Sequence, residues 1–75
     1  MVRPLPLLGL GEVGRITLIH TRYADRLDQL SSLGLVPGVD ARLKQRFPAV
    51  VIEVDQTTLA LDADVAKEIF VKPKG

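Results

Sequence analysis

The sequence predicts a mainly β fold: a small barrel of about five short antiparallel strands, with one short α-helix and one helical turn. Three observations carry this reading. Short apolar runs with alternating or β-branched character recur along the chain, turn residues separate them at close intervals, and only one segment has helical spacing. Seventy-five residues make one domain, spanning 1–75. A chain this size buries only about 60–65% of the surface its unfolded form exposes. Short strands joined by tight turns then gain most by closing into a barrel, which removes exposed edges. Hydrophobic residues make up 47% of the chain, enough for a core and too much for disorder.

The first strand is residues 14–20 (GRITLIH), where Ile16 and Leu18 alternate with Arg15 and Thr17 until Ile19 breaks the pattern. Residues 22–34 carry Tyr23, Leu27, Leu30 and Leu33 at spacings of four, three and three, which is one face of a helix. Thr21 or Asp25 caps its start, and Gly34 is placed to end it in a left-handed conformation. Residues 35–38 (LVPG) read as a turn, Pro presetting one backbone angle and Gly accepting the positive φ that follows.

Residues 39–46 alternate cleanly. Val39, Ala41 and Leu43 face one side; Asp40, Arg42, Lys44 and Arg46 face the other. Pro48 marks a break before the strand 49–54, in which Val50, Ile52 and Val54 share a face. Asp55 and Gln56 make a tight connection to the strand 57–61. Residues 62–67 form a helical turn with Asp62 or Asp64 as cap, a strand over 68–72 closes the fold, and the last residues, 72–75, fray. The expected core is Ile16, Leu18, Leu27, Leu30, Leu43, Val50, Ile52, Leu59, Leu61, Ile69 and Val71, with Leu33, Leu35, Phe47 and Phe70 also packed inward.

Composition excludes several function classes. Ten Lys and Arg against nine Asp and Glu give a net charge of +1, which does not suit non-specific binding of nucleic acid or membrane. The absence of cysteine removes disulfides, thiolate metal sites and cysteine nucleophiles. The apolar stretch 5–10 is interrupted by Pro6 and Gly9 and is too short for a signal segment or a membrane span. A soluble cytoplasmic protein is the expectation. Residues 9–14 spell GxGxxG, but a dinucleotide fingerprint must follow a strand and open a helix; these glycines precede a strand and read as turn residues.

Residues 30–38 read LSSLGLVPG: a helix ending in Leu-x-x-Leu-Gly-Leu, then Pro-Gly and an alternating strand. With Leu7-x-x-Leu10-Gly11 and Gly14-Arg15-Ile16 upstream, and Pro48, VVIEV, Asp55, Leu59-Ala60-Leu61, Ala66, Ile69 and Val71 downstream, this resembles the ferrous iron transport protein A (FeoA) family over most of the chain. The resemblance implies an SH3-like barrel. It also implies a cytoplasmic accessory role beside ferrous iron transport protein B, the membrane transporter that carries a GTPase domain on its cytoplasmic side. The same barrel ends some metal-dependent repressors. With no room for a helix-turn-helix before the barrel, this chain is expected to be the stand-alone form.

The residues offer little for catalysis. His20 is the only histidine and has no visible oriented partner, so a solvated strand-end side chain is the simpler reading. Transient ferrous iron has candidate ligands in His20, Asp25, Asp62, Asp64 and Glu68, although Asp62 and Asp64 equally suit a helix start. For partner binding the candidates are the basic strand face of Arg42, Lys44 and Arg46, extended by Arg15, and an exposed Val36 beside the helix end, flanked by Arg22 and Arg26. Two alternative readings are a metal-responsive module acting with a repressor and a small-barrel nucleic-acid binder. The second lacks the exposed aromatics that single strands stack on, so no nucleic-acid partner is expected. An unpaired strand edge in so small a domain leaves a dimer open.

Overall fold

The computed structural model describes residues 1–74; the expected fraying of Gly75 lies outside them. Six strands are present: β1 (Arg3–Pro4), β2 (Val13–Ile19), β3 (Asp40–Gln45), β4 (Val50–Val54), β5 (Thr57–Leu61) and β6 (Ile69–Pro73). A 3-10 turn (Leu5–Leu7) follows β1, the helix α1 (Ala24–Ser32) joins β2 to β3, and the short helix α2 (Ala63–Ala66) joins β5 to β6. All pairings are antiparallel in one sheet of order β1-β6-β2-β3-β4-β5. The mainly β architecture with one helix and a helical turn is as the sequence predicts. Closure is not: the sheet stays open, with β1 and β5 as unjoined edges.

One core fills the inner face. Ile16 from β2, Ala41 and Leu43 from β3, Val50, Ile52 and Val54 from β4, Leu61 from β5, and Ile69 and Val71 from β6 are all buried in it. Period-two alternation supplies this face from β2 to β6. Leu5 and Leu8 of the N-terminal segment, Leu30 and Leu35 around the end of α1, and Ala66 of α2 complete it. The N-terminal segment is therefore structural, although its prolines and glycines disguise it as a loop. Gly14 is buried where β2 crosses this core, and a Cβ there would lie 2.8 Å from Val71 Cγ2, so the strand needs glycine at that point.

Two bulges redirect side chains. Between β2 and β6 the register steps from Ile16↔Val71 to Leu18↔Phe70, leaving Thr17 as the extra residue. Leu18 is thereby turned outward, 45% exposed beside a half-buried Phe70, while Ile19 takes the inner position opposite Ile69. Between β3 and β4 the step from Leu43↔Ile52 to Gln45↔Val51 makes Lys44 the extra residue. The core expected from sequence is corrected accordingly at Leu18, and Leu59 is only half-buried. Leu27 and Leu33 are exposed because α1 gives the core one residue, Leu30. Phe47 stands at the tip of the β3–β4 connection, 79% exposed.

The helix end is local chemistry. Gly34 has φ 83°, its N–H donates to Ser31 O (2.9 Å), and the Leu35 N–H donates to Leu30 O (2.9 Å). This is a Schellman motif, and its apolar partners Leu30 and Leu35 are both buried. The start differs from expectation: Tyr23 is the N-cap and makes no side-chain cap bond, and Thr21 Oγ1 instead accepts the Tyr23 N–H (3.2 Å). The next turn is as predicted, with Gly38 at φ 98° and the Val39 N–H donating to Val36 O (3.2 Å).

The C-terminal residues 72–74 are held in place. β6 runs to Pro73, the Lys74 N–H donates to Val13 O (2.8 Å), and Lys74 Nζ bonds Asp40 Oδ2 (2.7 Å). Leu30→Ala should lower unfolding free energy by about 2–5 kcal/mol, and Leu27→Ala by less than about 1 kcal/mol. Urea denaturation of the two variants checks this division of the helix face.

Candidate functional site

The predicted basic strand face is largely neutralised within the fold. Arg15 Nε bonds Asp40 Oδ1 (3.0 Å), and Asp40 also takes Lys74. Arg42 Nε lies 3.9 Å from Glu53 Oε1, its neighbour across the ladder, and Arg42 Nη1 donates to Gly11 O (2.7 Å). A shallow groove on this side is lined by Val13, Asp40, Arg42, Glu53, Asp55 and Lys74, a mixed rather than a cationic surface. Lys44 is exposed and makes no ion pair among the described residues.

Arg46 leaves the stripe altogether. The bulge at Lys44 breaks the alternation, and the Arg46 side chain folds back so that Nε donates to Pro6 O (2.9 Å) and Nη2 to Leu8 O (2.6 Å). It clamps the N-terminal segment that delivers Leu5 and Leu8 to the core, so its role is structural. Val36 is half-buried, not the exposed apolar residue expected beside the helix end; that residue is Leu33.

Leu7, Leu10, Leu18 and Phe47 are exposed singly outside the helix, whereas along α1 exposed apolar side chains recur at helical spacing. Tyr23 (49% exposed), Leu27 (44%) and Leu33 (48%) flank the buried Leu30 at helical spacing. Arg22 and Arg26 lie over the Tyr23 ring, their guanidinium carbons 5.5 and 4.8 Å from its centroid. Arg26 Nη1 in turn bonds Glu68 Oε1 (2.7 Å), tying the first turn of α1 to the residue before β6. The spacing of these leucines predicts the face; that only one of them enters the core is a matter of how α1 rests on the sheet.

The weak metal candidates are not gathered into a cage. His20 is exposed, and its backbone N–H donates to Glu68 O (2.8 Å), so the two residues are neighbours across the end of the β2–β6 ladder. The Glu68 carboxylate is committed to Arg26, Asp64 pairs with Lys67 (3.4 Å), and Asp62 and Asp25 are exposed. Asp62 precedes α2 without a side-chain cap bond. No group of three His, Cys, Asp or Glu side chains suited to holding a metal occurs among the described residues. Gly9 and Gly11 form the turn into β2, with the Gly9 N–H donating to Glu12 Oε1 (2.8 Å) and Gly11 at φ 84°, whereas Gly14, read from sequence as a turn residue, lies within β2.

Fold and surface together define a small SH3-like module with no metal-holding group of His, Cys, Asp or Glu among its described residues, and with an exposed apolar cluster on the helix. The chain belongs to the FeoA family: the FeoA domain matches residues 3–73. An iron uptake regulatory protein (FeoA) is 26% identical, each chain covering 99% of the other, with a TM-score of 0.88. T. acidophilum IdeR is also 26% identical, with 97% of this chain matching 34% of that one at a TM-score of 0.90. Stenotrophomonas maltophilia FeoA, solved with zinc and discussed as a ferrous iron transport activating factor, shares the fold at 24% identity, covering 96% of this chain and 89% of its own, with a TM-score of 0.78. No curated protein matches the chain by sequence. No helix among the described residues is long and apolar enough to cross a membrane.

Two predictions follow from these contacts. Arg46→Ala should destabilise the fold by about 2–3 kcal/mol through loss of two charge-assisted bonds, and Lys44→Ala by less than about 0.5 kcal/mol, as thermal unfolding would show. The hydrogen bonds from Lys74 and Arg15 hold the Asp40 carboxyl below the usual carboxylate range, and the bond from Arg26 does the same for Glu68. A carboxylate lowered on folding stabilises the fold above its unfolded value, and that stability is lost as pH falls through the folded value. Stability should therefore fall in acid below the ordinary carboxylate range, and Asp40→Asn should flatten that fall in urea titrations run across acidic pH.

Proposed function

We propose that this chain is a cytoplasmic, non-enzymatic accessory protein of ferrous iron uptake that binds the GTPase side of ferrous iron transport protein B and modulates it. Membership of the FeoA family and the likeness to an iron uptake regulatory protein support the iron-uptake part of this reading. The observation that carries the docking part is the α1 face. Leu27 and Leu33 are side chains of core type that the fold leaves in water, with Tyr23 held beside them by two arginines. The Arg15, Arg42 and Lys44 side of the sheet serves as a secondary, charge-guided contact, because two of its three cations already have carboxylate partners.

A metal-responsive module acting with a repressor is the second reading, favoured by the match to one third of IdeR. Its iron would bind transiently at His20 and Glu68, and Glu68 would have to leave Arg26 to take part.

An NMR titration of the labelled protein with the transporter's GTPase domain, and separately with ferrous iron under anaerobic conditions, distinguishes the two. Shifts at Tyr23, Leu27 and Leu33 with the domain are expected, and Leu27→Asp with Leu33→Asp should weaken binding at least about tenfold. Unchanged affinity in that double variant would remove the helix-face proposal. Shifts with iron alone, centred on His20 and Glu68, would favour the metal-responsive reading.

A further inference from the structure

The two edges of the sheet are built differently. β1 is two residues long and one of them, Pro4, has no N–H to offer a further strand. β5 is five residues (TTLAL) with no charge, no proline and no bulge, and it pairs only with β4. The usual protections of an edge strand are absent.

Register shows which backbone groups that edge presents. Val54 and Thr57 face each other across the two-residue turn at Asp55 and Gln56, and a pair flanking such a turn exchanges its hydrogen bonds. Alternation then turns the N–H and C=O of Leu59 and Leu61 toward β4, and those of Thr58 and Ala60 toward the open edge. The side chains of Thr58 and Ala60 are small and exposed, so nothing bulky guards those groups.

We propose that β5 pairs antiparallel with β5 of a second copy of this chain, about a two-fold axis through Leu59. In that register Thr58 lies opposite Ala60 of the second copy and Ala60 opposite its Thr58, so the free groups on both edges meet in four backbone hydrogen bonds. Leu59 faces its own counterpart as a non-hydrogen-bonded pair, the spacing at which side chains approach most closely. Leu59 is half-buried against the core, and this contact covers its remaining exposed surface. Residues 57–61 carry no charge, so the paired segments oppose no like charges. The same five residues meet themselves without charge conflict or bulky side chains at the free groups, which meets the condition for an isologous interface with a second copy.

Sedimentation equilibrium from micromolar to millimolar concentration should show the mass rising toward twofold. Amide exchange followed by NMR should show Thr58 and Ala60 gaining protection with concentration while Leu59 stays constant. Ala60→Pro removes an N–H that β4 does not use, and it should hold the chain monomeric over the same range. A monomer at all concentrations, a dimer in which the Thr58 and Ala60 amides still exchange freely, or an undiminished dimer in a folded Ala60→Pro variant would each overturn the proposal. Protection of those amides only after another protein is added would overturn it as well.

Discussion

The ladder between β2 and β6 is the constraint on which the rest of the molecule depends. It joins residues 13–19 to residues 69–73, nearly the full length of the chain apart, and every other element is placed by it. β1 adds to the outer side of β6, and β3 to β5 extend from β2 on the other side. The ladder passes over the core at Gly14, where the Val71 side chain occupies the space a Cβ would need. Burial of Val71, Ile16 and Ile69 under this crossing stabilises a pairing whose loop-closure cost is large.

A second consequence of small size is that side chains with polar tips carry structural work. Arg46 holds the N-terminal segment by two carbonyls, Lys74 and Arg15 share Asp40, and Arg26 joins α1 to Glu68. Charges that look like a docking stripe in the sequence are in this way drawn into tying separate segments together. Among the surfaces left free is an apolar one, on a helix that contributes one residue to the core. The docking surface proposed for this chain is therefore that helix rather than the sheet.

Much of the candidate site was legible in the chain, though only in part. The spacing of Tyr23, Leu27, Leu30 and Leu33 marked an apolar face, and Gly34 with Leu35 marked its end. Which leucines of that face stay in water depends on how far α1 stands from the sheet, and spacing alone carries no distance. Arg42, Lys44 and Arg46 share a face only if the strand alternates without interruption. The extra residue at Lys44 appears only when β3 is set against β4. The break at Ile19 was a visible trace of the other bulge, since it is the inward residue that replaces Leu18.

The sequence by itself determined the local geometry and, through it, the family. Gly34 and Gly38 adopt the left-handed region that their turns require, Asp55 and Gln56 reverse the chain in two residues, and the alternation of residues 50–54 orients one strand. These features depend on residues adjacent in the chain, so a linear reading reaches them. Only the tertiary structure decided that the N-terminal segment is a strand and a 3-10 turn packed into the core, that the sheet stays open, and that residues 72–74 are held. Each of those outcomes is a contact between segments far apart in sequence, where burial and backbone pairing outweigh local propensity.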